Sequence, residues 1–110
     1  MTSPTQRTLK YLRAEGYTVA VVEKFNTYAK VRQDLFGILD ILAMKPGLPW
    51  LLGIQTTTTA NLAHREKKIR ESPHFDLWRN TGNKILVHGW AKRGPRKKRK
   101  VWTLTAKDIC

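Results

Sequence analysis

The chain has one cysteine, few acidic residues and no long hydrophobic run. Because Cys110 stands alone, the protein cannot form an internal disulfide or a cysteine-ligated metal cluster, and this pattern is typical of a reducing cytoplasm. No apolar run approaches the roughly 18 residues of a membrane-spanning helix, and the first residues lack the apolar core of a signal peptide. We therefore expect a cytoplasmic protein that has no membrane partner.

The shortage of acids leaves a strongly basic protein. Lysine and arginine number 21 against 8 aspartate and glutamate residues, which gives a formal net charge of +13 in 110 residues. This excess of positive charge favours a polyanionic partner, most simply nucleic acid, although a basic protein bound to ribosomes or anionic lipid has the same composition. The length and the 41% hydrophobic content predict one globular domain over residues 1–110.

Asp40 interrupts the first of two apolar segments that are predicted to be neighbouring strands. The segments are Ile38–Met44 and Trp50–Ile54, and a turn rich in proline joins them. The second segment ends abruptly at Gln55, which four threonines follow. Because a buried carboxylate is costly unless it is paired, we expect a cation to be shared between Asp40 and the polar end of the second strand. The Asp40 carboxylate, the Gln55 amide and the Thr56 carbonyl would form an oxygen site of the kind that Mg²⁺ prefers.

The motif Gly37-x-x-Asp40, followed by a turn and an apolar strand that ends in Gln55-x-Thr57, resembles the core of the PD-(D/E)XK nuclease superfamily. In that superfamily an aspartate on one strand, and a glutamate or glutamine two residues before a lysine on the next strand, bind the metal. The resemblance covers nearly the whole chain. The overall order of its elements also resembles that of small archaeal Holliday-junction resolvases and of short phage-encoded proteins with the same fold. It implies a DNA endonuclease that uses Mg²⁺ or Mn²⁺, acts in a bacterial or phage-infected cell, and has branched DNA as a candidate substrate.

The order of the predicted elements also resembles this superfamily. Hydrophobic spacing and turn residues predict helices over residues 3–15, 60–71 and 75–81, and strands over residues 17–22, 38–44, 50–54, 84–90 and 101–104. This order implies an α/β fold with a restriction-endonuclease-like core, in which helices flank a small mixed β-sheet. Residues 23–32 are expected to form a polar loop along the mouth of the site, and residues 91–101 a basic β-hairpin arm.

Further acids and cations complete the predicted catalytic site. Glu23, at the end of the first strand, and Asp34, before the second, are candidate additional metal ligands. Thr57 occupies the position of the superfamily lysine, which stabilises the attacking hydroxide or the charge on the phosphate. That role sometimes migrates to the following helix or a neighbouring strand, and the candidates here are Lys68, Arg65 and Lys30, unless these cations only bind phosphate. The predicted catalytic residues are Asp40, Gln55, Thr57 and Lys68.

Basic residues are expected to hold the nucleic acid. Seven of the nine residues from 92 to 100 are lysine or arginine, and at the tip of a β-hairpin such a run suits a phosphate-binding arm. The predicted nucleic-acid-binding residues are Lys30, Arg32, Arg65, Lys67, Lys92, Arg93, Arg96, Lys97, Lys98, Arg99 and Lys100. A domain this small covers few base pairs, so we expect a homodimer.

Two alternatives to the nuclease stay open at this point. The first is a catalytically decayed DNA-binding module of the same fold, and the second is a basic RNA-binding or ribosome-associated protein. The three histidines show no metal-binding spacing, so the sequence assigns them no role.

Overall fold

The computed structural model describes residues 3–94 and 99–109, apart from the side chains of residues 25, 26, 31 and 32. Within these ranges it contains three α-helices, one 3₁₀ turn and seven β-strands. The helices are α1 (Pro4–Ala14), α2 (Leu62–Arg70) and α3 (Phe75–Asn80), and the 3₁₀ turn is Thr59–Asn61. The strands are β1 (Thr18–Val21), β2 (Lys24–Asn26), β3 (Val31–Gln33), β4 (Ile41–Met44), β5 (Leu52–Thr58), β6 (Lys84–Arg93) and β7 (Val101–Asp108). None of the helices in these ranges has the length and hydrophobicity that crossing a bilayer requires.

Five of the strands form one mixed sheet, in the order β1-β4-β5-β6-β7. β5 and β6 are parallel, whereas the other neighbouring pairs in this sheet are antiparallel. α2 and α3 lie between β5 and β6 in the chain and form the crossover that a parallel pair requires. β2 and β3 pair with each other in a separate two-stranded ribbon. The predicted α/β class, with helices on a mixed sheet, is therefore confirmed.

Helices cover both faces of the sheet and enclose two apolar cores. On one face, α1 buries Leu9 and Leu12 against a cluster that includes Ile41 and Ile54. On the other face, α2 and α3 pack against β6 and the turn before β4. Members of this second core include Leu39, Ile69, Phe75, Trp78, Ile85 and Val87. Because both faces are covered, successive residues of the central strands point into different cores.

The beginning and end of α1 follow from local cap chemistry. Ser3 is the N-cap, and its Oγ accepts a hydrogen bond from the backbone N–H of Gln6 at 3.2 Å. Pro4 occupies the first helical position, where the N–H that proline lacks would have no intrahelical partner. Gly16 follows the helix at a φ of +94°, a left-handed conformation that glycine adopts without strain.

The strand predicted over residues 38–44 begins later than expected. β4 starts at Ile41, because the chain first makes a tight turn in which Leu35 and Leu39 pair with each other. The N–H of Leu35 donates to the Leu39 carbonyl at 2.9 Å, and the N–H of Leu39 donates to the Leu35 carbonyl at 3.1 Å. Asp40 therefore lies directly before the first residue of β4, and not in the middle of the strand as predicted.

The strand predicted over residues 50–54 ends later than expected. β5 continues to Thr58, and each of its residues pairs in parallel register with β6, up to Thr58 opposite Trp90. The change from apolar to polar residues at Gln55 predicted that the strand ends there. The strand continues because its polar residues still pair with β6. The β-branched threonines suit a pleated, buried position in the sheet.

One other predicted segment also differs from the structure, and the two strands beside the predicted basic arm are longer than expected. The polar loop predicted over residues 23–32 contains β2 and β3, which form a short antiparallel ribbon. The basic arm predicted over residues 91–101 prolongs the sheet, because β6 continues to Arg93, which pairs with Val101 of β7. The tip residues predicted to bind nucleic acid, Arg96, Lys97 and Lys98, lie outside the described residues.

Candidate metal centre

Asp40 is held by backbone hydrogen bonds to strands on both sides. Its N–H donates to the Ile54 carbonyl of β5 at 2.9 Å, and its carbonyl accepts from the N–H of Val22, directly after β1, at 2.9 Å. The side chain is 4% exposed and lines a cleft of about 1230 Å³. The sheet, and not a free loop, therefore determines where the Asp40 carboxyl group lies.

The Asp40 carboxyl group is bound to β5 through Thr56. Its Oδ2 accepts from the Thr56 backbone N–H at 2.8 Å and from the Thr56 Oγ1 at 3.1 Å. Oγ1 of Thr56 also hydrogen-bonds with Oγ1 of Thr5, in the first turn of α1, at 2.9 Å. Because the N–H and C=O of one strand residue lie on the same side, the Thr56 carbonyl also faces the Asp40 side of β5.

Three carboxylates meet at this end of the sheet. Glu23 lies between β1 and β2, Asp34 follows β3 directly, and Asp40 precedes β4 directly. One carboxylate oxygen from each lies within 4.8 Å of the other two. Three oxygens at this separation could hold a metal ion, since carboxylate oxygen is a preferred ligand of hard divalent cations. The structure thus brings Asp40 together with the two additional acids that were predicted from the sequence.

Asp40 and Asp34 form a proton-sharing pair. Burial raises the pKa of Asp40 to about 7, and the hydrogen bond with Asp34 and the charges of Asp34 and Glu23 add to this rise. Burial also acts to raise the pKa of Asp34, but its hydrogen bonds, above all with Asp40 and Gln55, outweigh burial and lower that pKa. Between the lowered pKa of Asp34 and about pH 7, therefore, protonated Asp40 donates a hydrogen bond to ionised Asp34.

The raised pKa of Asp40 predicts that the protein loses stability as the pH rises. The folded protein keeps a proton on Asp40 up to about pH 7, whereas an unfolded chain loses it near the ordinary pKa of 3.8. Between these two values the folded state binds more protons, so raising the pH destabilises it. The amide in Asp40→Asn can accept from Thr56 and donate to Asp34 at every pH. We therefore expect Asp40→Asn to remove this part of the pH dependence.

Urea unfolding at about pH 5 and about pH 8, with EDTA present, measures this effect. Between the two pH values the parent should lose more free energy of unfolding than Asp40→Asn, because all other titrating groups are common to both proteins. The lowered pKa of Asp34 acts with the opposite sign, and only at pH values near or below 3.8, outside this window. Equal losses in the two proteins would contradict the proton-sharing pair.

Gln55 turns its amide nitrogen, and not its oxygen, toward the acids. Nε2 donates to Asp34 Oδ2 at 3.1 Å and to the Ile38 carbonyl at 3.0 Å. Oε1 accepts from Nη1 of Arg65 at 3.3 Å. Two acceptors at one end of the amide and a donor at the other determine this orientation. Gln55 thus positions Asp34, and its amide would have to rotate to become the metal ligand predicted from the sequence.

α2 brings two cations to the same cleft. Lys68 Nζ lies 3.4 Å from Asp34 Oδ2, and Arg65, about one helical turn earlier, donates to Gln55. Thr57, which was predicted to be catalytic, is 6% exposed and also lines the cleft. Lys68 therefore places a positive charge beside the acids.

The other predicted nucleic-acid-binding residues lie on the outer surface. The described ones whose side chains are exposed are Lys30, Lys67, Lys92, Arg93, Arg99 and Lys100. Lys67 pairs with Glu71 at 4.0 Å, and Lys92 Nζ lies 5.5 Å from the centre of the Trp102 ring. The side chain of Arg32 is outside the described part of the chain. Four of the exposed cations stand on the β6–β7 hairpin.

Several residues of the cleft were missed because no sequence pattern marks them. Ser3 and Thr5 from the start of α1, Phe36 from the turn before β4, and His74 before α3 all line it. They come from distant parts of the chain, and only the fold relates them. The cleft therefore combines a carboxylate cluster that could hold a cation with basic side chains that could hold a phosphate.

No protein-family model, curated protein or solved structure matches this chain.

Proposed function

We propose that the protein is a metal-dependent DNA endonuclease with a restriction-endonuclease-like core. The observation that carries this proposal is the cluster of Glu23, Asp34 and Asp40 in the cleft that Lys68 also lines. The chain has only 8 acidic residues against 21 basic ones, so three acids in one cleft are unexpected by chance. Binding of a cation would explain the cluster, and carboxyl groups with shifted pKa values in a cleft are typical of functional sites.

The order of the elements supports the same proposal. β4 and β5 form an antiparallel hairpin, and a helical crossover leads from β5 to its parallel neighbour β6. Asp40 precedes β4 and Gln55 lies in β5, so both stand at the same end of the hairpin. The resemblance to the PD-(D/E)XK superfamily implies this arrangement, and here the β2–β3 ribbon is inserted after β1.

The donor set fits a hard divalent cation. Glu23, Asp34 and Asp40 would hold Mg²⁺ or Mn²⁺ through carboxylate oxygens, and the Thr56 carbonyl faces the same side of β5. When bound, such a cation would polarise the scissile phosphate and lower the pKa of the attacking water. Asp40 must lose the proton that it shares with Asp34 before it can bind a cation, so binding is favoured above about pH 7.

The two cations of α2 have different roles in this proposal. Lys68, 3.4 Å from Asp34, would stabilise the negative charge that develops on the phosphate during cleavage. Arg65 holds Gln55, and Gln55 in turn holds Asp34, so Arg65 acts as a positioning residue. The neutral hydroxyl of Thr57 cannot replace the charge of the superfamily lysine. Lys68 is therefore the residue that we assign to the lysine role.

The basic β6–β7 hairpin would bind the DNA backbone. Replacing Arg96, Lys97, Lys98 and Arg99 together by alanine is expected to flatten the dependence of log K on log salt concentration by roughly 2–4 units, because each lost phosphate contact changes the slope by about 0.9. Fluorescence anisotropy with a labelled duplex over a range of salt concentrations measures the slope.

A control variant removes three charges from the opposite end of the domain. Arg13 lies in the last turn of α1, Lys45 follows β4, and Lys84 begins β6, all at the far end from the cleft. Alanine at these three positions should leave the slope unchanged. If the hairpin variant keeps the parent slope, or if the control variant loses as much, the hairpin is not the DNA-binding arm.

The proposed function is tested by incubating the protein with supercoiled, linear and four-way-junction DNA in Mg²⁺, in Mn²⁺ and in EDTA. We expect weak cleavage that requires the metal and is faster in Mn²⁺. Nicks without double-strand breaks indicate one active cleft, whereas paired cuts indicate the proposed homodimer, in which a second copy cuts the second strand. DNA that is bound but uncut in both metals contradicts the nuclease proposal.

The second candidate is a DNA-binding module of the same fold that no longer cuts. Two observations favour it: Thr57 stands in place of the lysine, and Gln55 presents its nitrogen to the acids. In that case the acid cluster would bind a cation for stability alone. Binding without cleavage in the same experiment is the result that this candidate predicts.

A further inference from the structure

Phe36 has a strained backbone conformation although its side chain is not buried in the core. Its φ is +56°, in the left-handed region that bulky residues rarely adopt, and Gly37 follows it at +74°. The turn is closed by a hydrogen bond from the Gly37 N–H to the Asp34 carbonyl at 3.0 Å. Despite this strain, the ring is 53% exposed, so burial does not offset the cost. Strained residues of this kind are concentrated at functional sites.

The Phe36 ring lies where two depressions of the surface meet. One is the cleft that contains the acid cluster, and the other is a pocket of about 640 Å³ on the α2 side. Both depressions are lined by Phe36, Gly37, Lys68 and His74. The His74 ring faces Phe36 with a centroid distance of 6.0 Å and an interplanar angle of 48°. An aromatic pair therefore stands beside the proposed site of cleavage.

The second pocket combines an aromatic surface with positive charge. Phe36 and His74 contribute flat rings, and Lys67 and Lys68 contribute ammonium groups that could bind phosphate, although Glu71, which pairs with Lys67 at 4.0 Å, lines the pocket as well. Proteins bind unpaired nucleotides with aromatic rings that lie next to lysines, because the base stacks on the ring while the phosphate pairs with the cation. In an intact duplex the faces of a base are covered by its neighbours, so only an unpaired base can stack in this way.

We propose that Phe36 stacks on an unpaired nucleobase beside the phosphate held in the cleft. This inference rests on the proposed nuclease function and specifies its substrate class: DNA with unpaired nucleotides at the position of the cut, such as a flap, a gap or a strand junction. The strained turn keeps the ring at the mouth of the cleft before DNA binds. The His74 ring lies beside the Phe36 ring, at a centroid distance of 6.0 Å, and supports it from one side.

Phe36→Gly separates stacking from folding. Glycine adopts a φ of +56° without strain, so the melting temperature of this variant should equal or exceed that of the parent. Its affinity for a single-stranded oligonucleotide should nevertheless fall roughly 5- to 150-fold, the range found when one stacking aromatic side chain is removed. Affinity for the same sequence as a complete duplex should not change. Phe36→Tyr, which keeps the ring, should bind like the parent, and Phe36→Leu, which keeps only the apolar bulk, should bind like Phe36→Gly.

The experiment uses the full chain in EDTA and an oligonucleotide that carries one 2-aminopurine, whose fluorescence is quenched when it stacks on an aromatic ring. We expect quenching by the parent and by Phe36→Tyr, and none by Phe36→Gly. Equal losses of affinity for single strand and duplex would overturn the proposal. The proposal would also be overturned if Phe36→Gly sedimented differently from the parent but quenched the fluorescence equally. Phe36 would then contact a second copy of the chain, together with the exposed Leu77, which lines a pocket with it.

The outcome of this experiment is independent of cleavage. If quenching is absent but metal-dependent cleavage is present, the stacking inference is wrong and the nuclease proposal stands. If quenching is present but no DNA is cut, the nuclease proposal is wrong, and Phe36 belongs to a module that binds unpaired nucleotides.

Discussion

Asp40→Asn should reduce metal-dependent cleavage roughly 10³-fold or more, because losing a cation that contributes several kcal/mol to the transition state has an effect of that size. The variant should still fold, since its amide can accept from the Thr56 N–H and donate to Asp34 as the protonated parent does. At a pH above about 7, where Asp40 has lost its proton, DNA binding in EDTA should be unchanged or slightly tighter, because a carboxylate that repels phosphate has been removed. Single-turnover cleavage and anisotropy in EDTA measure the two effects.

Asp76→Asn is the matched control for this experiment. Asp76 lies on α3, its side chain is 77% exposed, and it pairs with Arg79 at 3.2 Å. Its removal changes the net charge as Asp40→Asn does, but it should leave cleavage unchanged. Residual cleavage by Asp40→Asn within tenfold of the parent would show that Asp40 does not hold a catalytic cation.

Lys68→Ala has the second largest expected effect, a fall in the cleavage rate of about 10²- to 10³-fold at saturating metal and DNA. The reason is that a charge aimed at the developing negative charge of the phosphate is lost, while the acid cluster stays. Metal affinity should rise, because Lys68 no longer competes for Asp34, to which its Nζ lies at 3.4 Å. The slope of DNA binding against salt should change by about one unit, as for one phosphate contact.

Two further variants make the Lys68 result specific. Lys68→Arg keeps the charge and should recover part of the rate, which a purely structural role would not predict. Lys84→Ala removes an exposed lysine from the start of β6, at the far end of the sheet, and should cut DNA like the parent. A threefold or smaller loss for Lys68→Ala would mean that Lys68 only pairs with Asp34.

The parts of the fold that could be predicted are those that local chemistry determines. The Ser3 cap, Pro4 and Gly16 define α1 without reference to the rest of the chain. The hairpin of β4 and β5 could be recognised because two apolar runs flank a turn. Its boundaries could not, because the register of β5 depends on β6, about thirty residues later in the chain. The β2–β3 ribbon was missed because each strand has only three residues, too few for a pattern of apolar and polar residues to indicate a strand.

The acidic residues of the candidate site could be predicted from the sequence, but the orientations of its side chains could not. Asp40 could be identified because a carboxylate in an apolar segment needs a partner. The direction of the Gln55 amide follows from the Ile38 carbonyl and from Arg65, and no sequence pattern relates these three residues. Phe36 could not have been found from the sequence, because its unusual feature is a backbone angle that only the folded turn reveals.

The central claim, that the acid cluster holds a divalent cation, is tested most directly by anomalous diffraction from crystals of the parent soaked in Mn²⁺. We predict one strong anomalous peak between the carboxylates of Glu23, Asp34 and Asp40, and no peak there in crystals of Asp40→Asn soaked in the same way. The pH of the soak should be above about 7, so that Asp40 has lost its proton. The absence of a peak in the parent, or a peak in contact with none of the three carboxylates, would contradict the account.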